Sequence, residues 1–270
     1  MSTDHTVAGV QLANGRMIDA DGVYAAGNIA DVSHQVLQAA AEGSQVAGAI
    51  NADLAHEDAS LALAALSGDG SDDWDRRYAQ QTQRWSGQPN ATLIAEVERL
   101  DPGSALDVCC GEGADAIWLA LQGWDITGAD ISQIALDRAR RVAADTGVDI
   151  DWVQADIAVE PPERKRYDLV SVSYPALPHT PGDDAIHALI DAVAPGGTLL
   201  VVGHDLASGD GHRHHAFDPC DYVQPADVAQ HLDATWTIDV HQTRPRTRPP
   251  GVGPDVPDVV LRAHRTEPTA

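Results

Sequence analysis

The sequence predicts an α/β fold: a mostly parallel, seven-stranded sheet with helices on both faces and an antiparallel hairpin at its C-terminal end. Three observations predict it. Between positions 104 and 202, apolar runs of strand length alternate with stretches of helical periodicity, which implies a parallel sheet covered on both faces. A turn of small residues, Cys109-Cys-Gly-Glu-Gly113, joins the first of those strands to a helix. Near the C-terminus, Trp236–Thr243 and Val256–His264 read as strands joined only by a loop rich in Pro and Arg. A parallel pair needs a longer crossover, so these two are expected to be antiparallel.

The first 66 residues do not read as the start of that domain. Residues 7–18 offer one or two short strands, with turns at Asn14-Gly15 and Asp21-Gly22, and an Ala-rich helix is expected from about Ser33 to Ala55. Ser67-Gly-Asp-Gly-Ser-Asp-Asp73 has no apolar anchor and reads as a linker, so the expected domains are 1–66 and 67–270. The second opens with a lead-in segment holding Trp74, Tyr78 and Trp85. Pro89–Leu100 then reads as a helix with Leu93, Val97 and Leu100 at helical spacing.

The alternation follows. Ser104–Val108 is a short buried strand, and Ala114–Leu121 a helix with Ile117, Ala120 and Leu121 on one face. Trp124–Asp130 is the next strand. Ser132 caps a helix reaching Asp145, with Ile134, Leu136, Ala139 and Val142 inward. Asp149–Gln154 and Arg166–Ser173 are strands, and the Pro-containing stretch between them has room for one turn at most. Asp183–Ala194 is a helix stopped by Pro195-Gly-Gly197, Thr198–Val202 a strand, and Gln224–Leu232 a short helix with Pro225 at its start.

Composition narrows the function classes. A formal charge of −24, with Lys165 the only lysine, repels phosphate backbones and anionic membranes. Nucleic-acid and membrane partners are therefore not expected. No apolar run approaches the ~18 residues that span a bilayer. Three cysteines, two of them adjacent, do not make a disulfide framework, which points to a reducing cytoplasm.

A strand turning through glycines into a helix lets a ligand approach the backbone and the free N–H groups of the helix start. Acids stand at or after three strand ends: Asp107, Asp130 and Asp156. An acid after the second strand of the alternation can take both ribose hydroxyls. A dinucleotide fold wants G-x-G-x-x-G, and Cys109, Gly111 and Ala114 occupy those places, so the first glycine is missing. A dinucleotide and S-adenosylmethionine (SAM) both remain open on these residues.

The run Leu106-Asp-Val-Cys-Cys-Gly-Glu-Gly113 resembles motif I of class I SAM-dependent methyltransferases, with Cys109 where that family has glycine. The resemblance implies a Rossmann-like methyltransferase fold and SAM as cofactor. It implies cofactor contacts from Asp107, Cys109, Gly111, Glu112, Gly113, Asp130, Ile131, Asp156, Ile157 and Ser173. The lead-in segment resembles that of small-molecule methyltransferases of the tellurite-resistance and thiopurine type, which implies that Trp85 closes over the cofactor. Tyr174, His179 and His204, after the fourth and fifth strands of the alternation, are the candidates for acceptor contact or proton removal. A small acceptor is expected, and a thiol or chalcogen fits without any base. His212-Arg-His-His215 and Cys220 match no zinc spacing, and no metal is expected.

Gly22-Val-Tyr-Ala-Ala-Gly-Asn-Ile-Ala-Asp31 resembles the C-terminal tail of thioredoxin-reductase-like flavoproteins, without their N-terminal flavin motif or C-x-x-C pair. Two alternatives differ in class from an enzyme that methylates: a non-catalytic SAM-binding module docking on an oxidoreductase, and a nicotinamide-dependent oxidoreductase. The oligomeric state is left open.

Overall fold

The computed structural model describes residues 5–6, 9–11, 17–18, 70–205, 221–246 and 256–267. The chain divides into two compact units, Met1–Leu66 and Ser67–Ala270. In the first, β1 (His5–Thr6), β2 (Gly9–Gln11) and β3 (Met17–Ile18) form an antiparallel sheet in that order. The Ala-rich helix and the flavoprotein-like run expected there lie outside the described residues.

The second unit is built on β4 (Ser104–Val108), β5 (Asp125–Asp130), β6 (Asp151–Gln154), β7 (Tyr167–Ser173), β8 (Val193–His204), β9 (Trp236–Arg244) and β10 (Asp258–Arg265). They form one sheet in the order β6-β5-β4-β7-β8-β10-β9. The pairs from β6 to β8 are parallel, and β10 runs antiparallel to both β8 and β9. The chain leaves β4 toward β5 and β6, then returns to place β7 on the other side of β4. That reversal opens a crevice beyond the carboxyl ends of β4 and β7, where ligands of such sheets bind.

Strand residues alternate between two cores. In β8, Leu199 and Val201 join Ile186 and Leu189 on one face, while Leu200 and Val202 join Leu93 and Leu119 on the other. Side chains of successive strand residues point to opposite faces, so a strand covered on both sides reads as a continuous apolar run. In β4, Leu106 and Val108 belong to the first core and Ala105 to the second, which leaves Asp107 on the second face.

The helices are α1 (Ser71–Ala79), α2 (Ala91–Val97), α3 (Ala114–Leu121), α4 (Gln133–Thr146), α5 (Asp184–Ala192) and α6 (Pro225–His231). Ser132 caps α4 as expected, its hydroxyl accepting the Ala135 N–H at 3.2 Å. Two inward faces differ from the sequence reading. Leu121 is 55% exposed and Leu119 is buried in its place; Val142 is 48% exposed and Ala143 is buried. The rest of each face is as read, with Ile117, Leu136 and Ala139 buried; the differences lie at the C-terminal ends of the two helices. β8 starts at Val193, five residues before the expected position, and passes through Gly196 at φ 79°. None of the described helices is long and apolar enough to cross a membrane.

Candidate active site

The turn after β4 carries the first part of the site. Cys109 has φ 55°, Gly111 55° and Gly113 82°. The backbone at Cys109 thus takes the left-handed form that a glycine would favour, despite its Cβ. Gly111 is needed for a different reason. A Cβ there would lie 3.0 Å from the Tyr78 hydroxyl and 3.2 Å from Trp85 Nε1. Two of the three aromatics of the lead-in segment lie directly on the turn, and Trp85 Nε1–H donates to the Tyr78 hydroxyl at 2.9 Å.

Asp130, at the end of β5, braces this turn. One carboxylate oxygen accepts the Gly111 N–H and the other the Ser132 N–H, each at 2.8 Å. Burial pushes its pKa up to about 6, against those N–H donors. Asp107 accepts from the Ser171 hydroxyl at 3.2 Å, across the β4–β7 register that places the two side by side. Its Oδ2 is buried and has no partner among the described residues. Asp115, in the first turn of α3, accepts the Asn90 N–H at 2.6 Å and the Ser173 hydroxyl at 3.1 Å. Burial raises the pKa of both Asp107 and Asp115, and for Asp107 the charge of Asp115 adds to it. Burial, with Asp130 nearby, also raises both cysteine thiols, so Cys109 and Cys110 stay protonated and unreactive.

The remaining expected cofactor residues are less central. Asp156 is exposed and caps its own turn, accepting the Ala158 N–H at 3.0 Å. Ile157 is buried in the core with Val108 and Ala129. Ile131 accepts the Gln154 side-chain amide through its carbonyl at 3.1 Å. Glu112 turns toward the lead-in segment, where it takes the backbone N–H groups of Arg84 and Trp85 and the Arg138 guanidinium.

Tyr174 and His204 are brought together from β7 and β8. Their rings stack at 4.4 Å with 25° between planes. Tyr174 has φ 53°, an outlier for so large a residue. Its hydroxyl donates to Asp258 Oδ1 at 3.0 Å, and Arg246 lies over its ring at 4.6 Å. Asp258 is fully buried at the start of β10 and also accepts the Thr92 hydroxyl at 2.8 Å. Burial first, then the Asp258 charge, raises the Tyr174 phenol, which therefore keeps its proton at neutral pH and cannot serve as a base. His179 has a different partner, Asp227 Oδ2 at 3.5 Å. His212, His214, His215 and Cys220 lie outside the described residues.

Asp115, Arg138, Asp258, Arg246 and Thr92 were missed by sequence reasoning. Nothing local distinguishes them. Asp115 reads as an ordinary first-turn acid, Arg138 as one of several helix arginines, and Asp258 as a strand-end polar residue.

The profile of the family described as a methyltransferase domain matches residues 105–197, from β4 into the start of β8. This is a class I SAM-dependent methyltransferase domain. The domain resembles the 2-heptyl-1-hydroxyquinolin-4(1H)-one methyltransferase of Mycobacteroides abscessus, 27% identical over 164 residues that cover 57% of this chain and 69% of that one. It also resembles the ubiquinone biosynthesis O-methyltransferase of Vibrio atlanticus, 33% identical over 163 residues, 53% of this chain and 66% of that one. Of the corresponding Marinobacter nauticus and Azotobacter vinelandii enzymes, the chain spans 42% and 55%. A solved structure concerned with converting a disulfide bond into a thioacetal group during echinomycin biosynthesis shares the fold. Its TM-score is 0.59 at 23% identity, over 74% of this chain and 94% of that one.

The methyltransferase domain's own residues fit its cofactor, SAM. Three carboxylates, Asp107 and Asp130 buried and Asp115 half-buried, surround the turn. In their ionised form, which a nearby cation restores against the cost of burial, they favour a ligand carrying sulfonium and ammonium charges and oppose the pyrophosphate of a dinucleotide. Among the described residues Asp107 Oδ2 has no partner, so it can accept from a cationic donor.

Proposed function

We propose that the domain methylates a hydroxyl group of a small molecule, with His204 accepting the proton. SAM supplies an electrophilic methyl group on a sulfonium. Asp107 and Asp115 would hold the ammonium end, and Asp130 the ribose hydroxyls. Gly111 and Gly113 let Tyr78, Trp85 and Trp152 pack against the turn that the ligand would meet, and Trp85 with Tyr78 would exclude water. Cys109, Ile131, Asp156, Ile157 and Ser173 complete the surroundings of that site. The observation that carries the acceptor reading is the Tyr174–His204 stack at the ends of neighbouring strands. Tyr174 holds its proton, so it orients, while a neutral imidazole beside it can accept one. The relatives named above support oxygen as the nucleophile, since one methylates a hydroxyquinolone and the other is an O-methyltransferase. A thiol reacting as its thiolate, or a chalcogen anion, the expectation from sequence, would need no base, and His204 would have no part in the step.

The test is a panel of phenols, hydroxylated heteroaromatics, thiols, selenite and tellurite, run with the native chain and with His204→Ala. Hydroxyl acceptors should turn over, and the substitution should cost roughly 10²–10⁴-fold in rate. Methylation confined to thiols or chalcogens, with His204→Ala silent, would remove the hydroxyl reading. We read Met1–Leu66 as an appendage of flavoprotein-tail type, on the residues Gly22–Asp31 alone. The purified chain should show no flavin absorption; a flavin band would overturn the view that this piece binds none.

A further inference from the structure

Glu112 lies within the glycine turn but its carboxylate is committed elsewhere. Its side chain is 9% exposed. It accepts the Arg84 N–H at 3.1 Å on both oxygens and the Trp85 N–H at 2.9 Å. Arg138, from α4, pairs with it at 2.8 Å. The same guanidinium donates to the carbonyls of Tyr78 at 2.7 Å and Gln81 at 2.5 Å. One acid and one base thus grip four backbone positions between Tyr78 and Trp85. What they hold in place is the Tyr78–Trp85 pair lying on Gly111. Charge-assisted bonds to backbone groups are the stronger kind, and here they fasten a segment with no regular structure of its own between Gln80 and Asn90.

We propose that Glu112 and Arg138 are positioning residues that latch the Tyr78–Trp85 strap over the glycine turn, and so set how fast the cofactor and its demethylated product exchange. This rests on the reading that the cofactor lies at that turn. Glu112 then acts through Trp85, without touching the ligand. Exchange requires the strap to lift, which breaks the bonds to Glu112 and Arg138 together. Weakening the latch should speed both association and dissociation, with a smaller change in affinity.

The experiment is a double-mutant cycle on the full chain, with S-adenosylhomocysteine as probe and its dissociation rate as readout. The variants are Glu112→Gln, Trp85→Ala and the two combined. Each single change should raise the dissociation rate about 5–30-fold. The double variant should exceed the faster single by no more than about twofold, because both remove the same closure. Effects that multiply would mean that Glu112 meets the ligand independently of Trp85, and a single variant with an unchanged rate would mean that the strap does not control exchange; either overturns the proposal. If Glu112→Gln fails to fold, Arg138→Lys replaces it in the same cycle, with the same two criteria. Failure of the native chain to bind S-adenosylhomocysteine would instead strike at the cofactor site itself, and the latch would fall with it.

Discussion

Two neighbouring strands end in the same way and serve different purposes. β4 runs into Cys109 and β7 into Tyr174, and both residues hold a left-handed backbone, at φ 55° and 53°. Around Cys109 the bracing is local. Asp130 reaches Gly111 and Ser132, and Cys110 N–H donates to Ala129 at 3.1 Å, all within the first βαβ unit. Around Tyr174 the bracing is remote. Asp258 lies 84 residues away, and the Thr92 hydroxyl that shares it is 166 residues from Asp258. A strained backbone position persists only where its surroundings over-determine it. The cofactor side does this with backbone N–H groups. The end of β7 does it with a buried carboxylate from the terminal hairpin.

Breaking the remote brace should have the largest effect. Asp258→Ala leaves two buried hydroxyls without their charged acceptor and frees Tyr174 to leave its φ. Hydrogen bonds to charged groups contribute about 1.5–3 kcal/mol each, and the bond to the half-buried Tyr174 counts for less because solvent can replace it, so a loss of about 2–4 kcal/mol is expected. Urea denaturation measures it, and a loss below about 1 kcal/mol would mean that Asp258 does not hold this side together. Tyr174→Gly should also destabilise, since relief of the strained backbone does not offset the lost contacts with Asp258, His204 and Arg246.

A smaller effect, and one confined to the cofactor side, is expected from pH. Burial raises Asp130 from its ordinary 3.8 to about 6 in the folded chain. The proton is thus held more tightly when folded. Its contribution to stability is fully present below about pH 4 and is lost as pH rises through 6. Ligand binding runs the other way. Ribose hydroxyls donate to the ionised carboxylate, so affinity for S-adenosylhomocysteine should rise with pH through about 6 and level off above it. Below 6 it should fall by up to about tenfold per unit. Calorimetry across that range tests this, with Asp130→Asn as the control that flattens the curve. A flat profile in the native chain would take Asp130 out of the ligand's reach.

The smallest effect belongs to Cys109→Gly. A Cβ in the left-handed region costs about 1–2 kcal/mol. Glycine removes that cost but gives up a side chain packed against the core and adds freedom to the unfolded chain. The net change should lie within about 1 kcal/mol of zero by thermal melting. Set beside Tyr174→Gly, it separates a turn that merely tolerates its non-glycine residue from one that depends on it. A loss above about 2 kcal/mol at Cys109 would erase the contrast.

The turn after β4 and the elements around it were legible in the sequence because their parts are neighbours along the chain. The apolar run Ala105-Leu106, the glycines at 111 and 113, the acid Asp130 and the cap Ser132 lie within one strand–helix–strand unit, and each follows a local rule of periodicity or turn chemistry. The final hairpin was legible for a similar reason, since a short connection permits only an antiparallel pair. The helix faces were read less well at their C-terminal ends, where Leu119 is buried instead of Leu121 and Ala143 instead of Val142, because an alanine carries little apolar signal and two leucines two residues apart carry equal ones.

By itself, the sequence determined the succession of strands and helices, the glycine turn and the acid at the end of the next strand, each of which follows from a local pattern; that Asp130 braces Gly111 is seen only in the folded chain. Only the tertiary structure decided that Glu112 grips the lead-in segment, that Asp115 joins Asn90 to Ser173, and that Asp258 supports Tyr174. Those partnerships depend on which strands become neighbours in the sheet. A carboxylate's partner is whatever donor the fold brings within 3 Å, and no local pattern marks a donor that arrives from the far end of the chain.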